Sequence, residues 1–169
     1  MKVRDIMSSP AITVTPDVSV RDVARIMREN HISGVPVVDE DQNLLGLVTE
    51  IDLISRNAPI HEPTYYTFLS AIIPLKPGEY KEYRERLQQA LATNAGELMG
   101  EDDLEKMVIS PDADIDEAME RMLDPEVTLM PVVTNGKVVG VITRTDMVRL
   151  IEKLELELVS RNGGEEGQN

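Results

Sequence analysis

Two short segments of the chain each place a threonine and an aspartate at the end of an apolar run. Gly46–Asp52 reads GLVTEID and Gly140–Asp146 reads GVITRTD. A threonine at the start of a helix can donate to a phosphate beside free backbone N–H groups, and a carboxylate can accept from two ribose hydroxyls. The same side chains can instead cap the helix and interact with its dipole. The sequence leaves both interpretations open.

Both turns lie inside a repeat of about fifty residues. The matching segments are Val3–Met7 with Ala95–Met99, Thr15–Val38 with Ser110–Val133, and Leu44–Ile54 with Val138–Val148. In each copy an amphipathic helix precedes an apolar run with a proline, a turn-rich link and the run that ends on the threonine. The pattern predicts a β-α-β-β-α unit. Because one such unit is too small to bury its own apolar face, the two copies must pack together.

The repeat also predicts which side chains form the core. The helix stripes comprise Val20, Val23, Ala24 and Met27 in the first copy and Ile115, Ala118, Met119 and Met122 in the second. The buried strand residues are expected to be Val35, Val37, Leu45 and Leu47, with Met130, Val132, Val139 and Val141 as their counterparts. Ser19 with Asp22, and Asp114 with Glu117, are the expected helix starts.

Composition narrows the class of protein. The chain has 169 residues, of which 41% are hydrophobic and 28% charged, a balance that suits one ordinary domain or two small ones. Its net charge of −14 argues against nucleic acid as a partner, because an acidic surface repels phosphates. No apolar run is long enough for a transmembrane helix, and the N-terminus lacks an apolar signal segment. We therefore expect a cytoplasmic protein without direct membrane insertion.

The sequence also argues against catalysis. The chain contains no cysteine, which excludes disulfides and thiolate chemistry. It has no nucleophile elbow, phosphate-binding loop or histidine–carboxylate set, so we expect no enzymatic activity and no catalytic residues. His61 has no second histidine near it, and we therefore expect no metal site.

The order, spacing and duplication of these motifs together resemble the tandem CBS (cystathionine-β-synthase) domain pair, or Bateman module. The resemblance covers Val3–Asn57 and Ala95–Lys153. It implies an α+β fold in which two β-α-β-β-α repeats pack with pseudo-twofold symmetry and form two clefts. In this family the clefts often bind AMP, ADP, ATP or S-adenosylmethionine, and no cofactor is required. The expected domains are repeat 1 (1–57), a largely helical insert (58–94), repeat 2 (95–153), and the end of the last helix with a mobile acidic tail (154–169).

The resemblance assigns each Thr–Asp turn to a cleft that it shares with the other repeat. The preferred cleft comprises Thr13, Ile32, Ser33, Gly34, Val35, Pro36, Thr143, Arg144 and Asp146. The second, weaker cleft comprises Thr49, Asp52, Val108, Val127, Thr128, Leu129, Met130 and Pro131. Arg144 offers a positive fork to phosphate where Glu50 offers a negative charge. The small pair Ser33–Gly34 leaves room for a base, whereas the bulky pair Leu129–Met130 narrows the slot.

The insert holds all four tyrosines and the only phenylalanine of the chain. Tyr80, Tyr83, Leu87 and Leu91 share one face of a helix that we expect from about Glu79 to Ala92. The segment YYTFLSAIIPL is apolar enough to require burial. Three roles stay open for this surface: packing against the module, a lid over a cleft, or contact with a partner or second subunit.

Two functions follow as hypotheses. The first is a sensor that binds an adenine nucleotide and signals to a regulated protein through a conformational change. Such modules commonly form homodimers, and we expect one here. The alternative is an interaction or scaffold module whose clefts are empty or hold S-adenosylmethionine or a divalent cation.

Overall fold

The computed structural model describes residues 1–59, 65–68, 71–74, 78–99 and 104–162. The contacts divide the chain into two units that do not follow the order of the sequence. The Asp146 unit consists of Met1–Ile12, Asp41–Leu44 and Asp103–Asn169, and the Asp52 unit consists of Thr13–Glu40 and Leu45–Asp102. Each unit therefore contains most of one repeat together with the N-terminal segment of the other.

The Asp52 unit is built from helices and two pairs of short strands. Its elements are α1 (Val20–Asn30), β1 (Gly34–Val38), β2 (Leu44–Thr49), α2 (Glu50–Asn57), β3 (Tyr65–Phe68), β4 (Ala71–Pro74), α3 (Glu79–Leu91) and α4 (Ala95–Leu98). Strands β1 and β2 form one sheet, and β3 pairs antiparallel with β4 in another. Helix α1 begins at its expected cap, since Ser19 Oγ accepts a hydrogen bond from the Asp22 backbone N–H at 3.1 Å.

The core of the Asp52 unit joins one face of α1 to the β1–β2 sheet. Its buried members are Val14, Val23, Met27, Val35, Val37, Val48, Ala92, Ala95 and Leu98. The predicted burial of Val35, Val37 and Leu47 is confirmed. The prediction for Leu45 is wrong, because β2 is buried only from Gly46 to Val48 and Leu45 lies 38% exposed near its outer end.

The insert contains a helix that the sequence predicts and a hairpin that it does not. Helix α3 ends at Leu91, within one residue of the expected end, and it packs against α2. Arg56 Nε on α2 donates to the carbonyl of Ala92 at 2.8 Å, which ties the end of α3 to the rest of the unit. The side chains of the aromatic residues in β3 and of Tyr80 lie outside the described residues. The three roles of the aromatic surface therefore stay predictions.

The Asp146 unit is dominated by a hairpin and a long helix. Its elements are a 3-10 helix (Val3–Asp5), α5 (Leu104–Met107), α6 (Ile115–Arg121), β5 (Leu129–Thr134), β6 (Lys137–Thr143) and α7 (Arg144–Asn162). Strands β5 and β6 are antiparallel, and Asn135 and Gly136 at their turn both have positive φ, as an Asn-Gly hairpin requires. Asp114 precedes α6 as expected, but its carboxylate bonds to Lys2 Nζ at 2.8 Å instead of capping the helix. This hydrogen bond lowers the pKa of Asp114 below its usual value.

The core of the Asp146 unit includes a residue from the first turn of the chain. Its buried members are Val3, Ile109, Ile115, Ala118, Met122, Met130, Val132, Ile142, Met147 and Leu150. Val3 is fully buried, and its backbone N–H donates to the carbonyl of Ala113 at 3.0 Å. Ser8 and Val141 exchange two backbone hydrogen bonds of 2.9 and 3.0 Å. The start of the chain is therefore built into the core formed by the second repeat.

The first strand of each predicted repeat is reduced to a single bridge. Val14 forms a parallel bridge with Val37, and Ile109 forms the same bridge with Val132. These positions are equivalent in the two copies. The β-α-β-β-α order is thus retained, with a first β element that is one bridge long.

Helix α7 spans 19 residues. Charged side chains recur along it, from Arg144 and Asp146 to Glu152 and Lys153. None of the helices in the described ranges combines the length and the apolar character that a membrane span requires.

Candidate functional site

The turn between β6 and α7 holds Thr143 and Asp146 in a reciprocal pair of hydrogen bonds. Asp146 Oδ2 accepts from Thr143 N at 2.8 Å and from Thr143 Oγ1 at 2.6 Å, while Asp146 N donates to Thr143 Oγ1 at 3.3 Å. This arrangement pairs backbone N–H groups that the first turn of a helix leaves without intrahelical partners. Asp146 is only 6% exposed. The turn therefore presents a buried carboxylate at the start of a long helix.

Two arginines lie near this turn, and they have different partners. Arg149 Nη1 lies 3.4 Å from Asp146 Oδ1. Arg144 Nη2 donates to the carbonyl of Asp124 at 2.6 Å, and Arg144 N donates to the carbonyl of Thr128 at 3.5 Å. The guanidinium that the sequence assigns to phosphate thus contacts the loop before β5. Arg149, which the sequence analysis does not identify, contacts the buried carboxylate.

The turn between β2 and α2 repeats the same cap in the Asp52 unit. Asp52 Oδ2 accepts from Thr49 N at 2.6 Å and from Thr49 Oγ1 at 2.8 Å. Glu50 N donates to the carbonyl of Ser33 at 2.9 Å, as its counterpart Arg144 N does to Thr128. The capping interpretation is therefore confirmed for both turns. Contact between either turn and a ligand stays a prediction.

The other predicted residues of the Asp52 unit lie at the start of β1. Ile32 and Ser33 are half-buried, and Gly34, Val35 and Pro36 are buried. Thr13 comes directly before Val14, whose N–H donates to the carbonyl of Pro36 at 3.0 Å, so Thr13 lies beside the same part of the sheet. The Val35 side chain belongs to the core. The Val35 side chain is therefore not exposed at this end of the sheet.

The corresponding residues of the Asp146 unit lie at the start of β5. Leu129, Met130 and Pro131 are buried, while Val108, Val127 and Thr128 are half-buried. Leu129 lies opposite Thr143 in the hairpin, so this segment and the Thr143 turn share one end of the sheet. Each predicted cleft combines a Thr–Asp turn of one unit with residues of the other unit. Both groupings therefore stay predictions.

A pocket of about 550 Å³ lies beside Asp146 within the Asp146 unit. Its lining comprises Met1, Asp5, Ile6, Ser8, Asp146, Arg149, Leu150 and Lys153. Sequence reasoning identifies only Asp146 among these residues. One signal was available: Arg149 and Lys153 follow Asp146 at helical spacing, whereas Ser55 and Pro59 occupy the equivalent positions of the first repeat.

Histidine and acidic residues form no evident metal centre in the ranges that the structure describes. No group of three or more such side chains there is placed to hold a metal ion. His31 lies at the end of α1 in the left-handed conformation with φ 54°, and His61 lies outside the described residues.

Comparison with known proteins gives two matches to one family model. The model of the CBS domain matches residues 3–58 and again 95–153. The uncharacterized protein MJ1426 of Methanocaldococcus jannaschii is 31% identical over 157 residues, which cover 89% of this chain and 91% of that protein. CBSX2, a chloroplastic CBS domain-containing protein of Arabidopsis thaliana, is 27% identical over 148 residues. The aligned region covers 85% of this chain but only 60% of CBSX2.

Solved structures of CBS domain pairs share the fold. A crystal structure of CBSX2 in complex with AMP has a TM-score of 0.72 and 22% identity, covering 90% of this chain and 97% of that chain. The CBS domain pair of protein MJ0100, in complex with 5′-methylthioadenosine and S-adenosyl-L-methionine, has a TM-score of 0.63 and 22% identity over the same shares of both chains. At this identity the likeness establishes the fold alone. The predicted α+β fold is confirmed.

Proposed function

Because the chain belongs to the CBS domain family, we propose that it is a regulatory module that binds an adenosyl nucleotide and signals to a partner protein by conformational change. The observation that carries this proposal is the buried Asp146 carboxylate at the edge of a pocket of about 550 Å³. The CBSX2 structure contains AMP, and the MJ0100 structure contains 5′-methylthioadenosine and S-adenosylmethionine. The adenosyl group is common to these ligands. The proposed function includes no catalytic step.

The ribose is the part of the ligand that suits Asp146. Asp146 Oδ2 already accepts two hydrogen bonds from Thr143. Among the described residues, Oδ1 is approached by Arg149 alone, at 3.4 Å. A carboxylate oxygen has about two acceptor positions, so Oδ1 can accept a ribose hydroxyl while Oδ2 continues to cap the helix. Capping and ligand binding are therefore compatible at one side chain.

We assign the preferred site to the Asp146 turn and a weaker site to the Asp52 turn. The preferred site comprises Thr143, Arg144 and Asp146 with Thr13, Ile32, Ser33, Gly34, Val35 and Pro36. The weaker site comprises Thr49 and Asp52 with Val108, Val127, Thr128, Leu129, Met130 and Pro131. Leu129 and Met130 are bulky and buried, so they narrow a slot for the base. Glu50 adds a negative charge that opposes phosphate.

Signalling requires that the ligand bind two arrangements of the module with different affinity. The Thr143–Asp146 cap is the first turn of α7, and much of the helix beyond it is exposed. A ligand that shares Asp146 with this cap can therefore change the stability of the first turn of α7. A regulated protein that contacts α7 is the expected receiver of this change.

Adenosyl compounds are expected to stabilise the protein against heat. A ligand at one hundred times its Kd adds about 2.7 kcal/mol, which raises Tm by roughly 5–10 °C for a chain of this length. The measurement is a thermal-shift series with AMP, ADP, ATP, S-adenosylmethionine and Mg²⁺, with guanosine monophosphate as the matched control. A chain that responds to none of the adenosyl compounds is not the proposed sensor. A response to Mg²⁺ alone, or to nothing, instead supports the interaction or scaffold hypothesis.

We also propose a homodimer, formed through exposed apolar residues on α2 and α7. Ile51 and Ile54 on α2 are 58% and 63% exposed, and Val148 and Ile151 on α7 are 64% and 51% exposed. Ile54 and Val148 occupy equivalent positions in the two repeats. Exposed apolar groups of this kind are typical of surfaces that a partner covers.

Val148→Glu is expected to weaken this dimer by about tenfold or more, because the interface would bury an unpaired charge. Light scattering at tens of micromolar protein measures the mass, and Gln88→Glu on the exposed face of α3 is the control for added charge. A monomer mass for the unmodified protein contradicts the homodimer. An unchanged dimer in Val148→Glu contradicts the interface.

A further inference from the structure

The pocket beside Asp146 has a face that carries positive charge. Arg149 and Lys153 lie four residues apart on α7, so both extend from the same side of the helix, and both line the pocket. The Arg149 side chain is 70% exposed, although one of its nitrogens approaches Asp146. A guanidinium has five N–H donors, so this contact leaves most of them available to a ligand.

The two acidic residues of the pocket already accept hydrogen bonds from backbone N–H groups. Asp146 Oδ2 accepts from Thr143 N at 2.8 Å, and Asp5 Oδ2 accepts from Lys2 N at 2.8 Å. These bonds, with Arg149 on Asp146 Oδ1, offset part of the negative charge in the lining. The helix dipole of α7, whose positive end lies at this turn, also favours an anion.

The first repeat lacks this arrangement. At the positions equivalent to Arg149 and Lys153 it has Ser55 and Pro59, neither of which carries a charge. The capping geometry at Asp52 is otherwise the same as at Asp146. The positive face is therefore an addition to one copy of a turn that both copies share.

We infer that this pocket binds the anionic group attached to the 5′ side of the adenosyl ligand, and that Arg149 and Lys153 select for that group. The inference rests on the proposed function, since it places the ribose at Asp146. The volume of about 550 Å³ lies in the range of small-molecule sites, about 300–1,000 Å³, and can accept a phosphate or an amino-acid carboxylate. The chemistry shared by the two groups is a set of anionic oxygens that pair with a guanidinium and an ammonium.

The test compares ligands that differ only in this group. Titration calorimetry with adenosine and AMP is expected to show that the unmodified protein binds AMP about tenfold more tightly. Arg149→Gln/Lys153→Gln is expected to remove this preference, so that the variant binds AMP and adenosine with affinities within about twofold of each other. Arg21→Gln/Arg28→Gln on the exposed face of α1 removes the same two charges elsewhere and should keep the preference. Arg149→Lys/Lys153→Arg retains both charges and should keep most of the preference for AMP over adenosine.

The possible outcomes distinguish a failure of this inference from a failure of the proposed function. If adenosine binds and AMP binds no better, or if the glutamine variant keeps the preference, the pocket does not select an anion. If none of adenosine, AMP, ADP, ATP and S-adenosylmethionine binds the unmodified protein, the proposed function fails and the inference fails with it. Titration with S-adenosylmethionine and 5′-methylthioadenosine identifies the source of the anion. The anion is the carboxylate if the protein prefers S-adenosylmethionine to 5′-methylthioadenosine by a larger factor than it prefers AMP to adenosine. The glutamine variant should then lose this larger preference.

Discussion

Asp146→Ala is expected to weaken AMP binding by about tenfold to one hundredfold. The substitution removes Oδ1, the oxygen that we assign to a ribose hydroxyl, and a hydrogen bond to a charged acceptor contributes about 1.5–3 kcal/mol. It also removes the acceptor of two bonds from Thr143, so the variant should lose about 0.5–2 kcal/mol of stability as its cap is lost. Titration calorimetry with AMP and ATP, well below the Tm of the variant, measures the affinity separately from the stability.

Asp52→Ala is the matched control for this experiment. It removes the same two hydrogen bonds from a threonine, so its loss of stability should be similar. Its effect on affinity should be much smaller, because Glu50 and Ser55 stand where the Asp146 turn has Arg144 and Arg149. Loss of AMP binding in Asp52→Ala, with normal binding in Asp146→Ala, would show that we have chosen the wrong turn.

The elements that the sequence predicts well depend on contacts over a short stretch of chain. The apolar stripe of α1 and the cap at Ser19 lie within one helix, and the Asn135–Gly136 turn is set by its own two residues. Helix α3 follows from periodicity in the same way. Both Thr–Asp turns belong to this class, because the bonds of the cap join residues three apart.

What the sequence does not predict depends on distant parts of the chain. Val3 packs among residues of the second repeat, and Leu98 packs among residues of the first. Each segment is too short to specify its own partner. The β3–β4 hairpin has strands of only four residues, and its apolar sequence is equally consistent with a buried helix segment. Leu45 follows the alternation of a strand, but it lies near the outer end, where burial has not yet begun.

At the candidate site, the sequence likewise identifies the types of residue but not the directions of their side chains. The sequence identifies Arg144 as a cation next to the turn, but side-chain direction is decided by the tertiary structure, which places this guanidinium on the carbonyl of Asp124. The sequence motif does not identify Arg149, because this residue lies outside the motif, about one turn further along α7. Its proximity to Asp146 follows from helical spacing once the start of α7 is known. The pocket itself needs the first eight residues of the chain, which no local pattern brings to α7.

Gly140→Ala is expected to destabilise the protein more than Gly46→Ala, although the two glycines are equivalent in the repeat. A Cβ at Gly140 would lie 2.8 Å from Met7 Sδ and 2.9 Å from the backbone oxygen of Ser8. Ser8 cannot move freely, because it exchanges two backbone hydrogen bonds with Val141. The three atoms nearest to a Cβ at Gly46 would all belong to the Met99 side chain, with Sδ at 2.5 Å and Cβ and Cγ at 3.1 Å. The Sδ and Cγ atoms of Met99 can rotate away, whereas at Gly140 a hydrogen-bonded backbone segment must shift.

Overpacking typically costs about 1–3 kcal/mol, so we expect Gly140→Ala near the upper end of this range and Gly46→Ala near the lower end. Each kcal/mol corresponds to about 2–4 °C in Tm for a chain of this length, and calorimetric melting measures the difference. Truncation of the methionine distinguishes the two sites. Met99→Ala should restore much of the stability lost in Gly46→Ala, since it removes Sδ and Cγ and leaves the milder contact with the Cβ of residue 99 at 3.1 Å. Met7→Ala should restore little in Gly140→Ala, because the clash with the Ser8 oxygen remains. Full restoration by Met7→Ala, or equal losses at the two glycines, would mean that the backbone contact at Ser8 does not limit the size of residue 140.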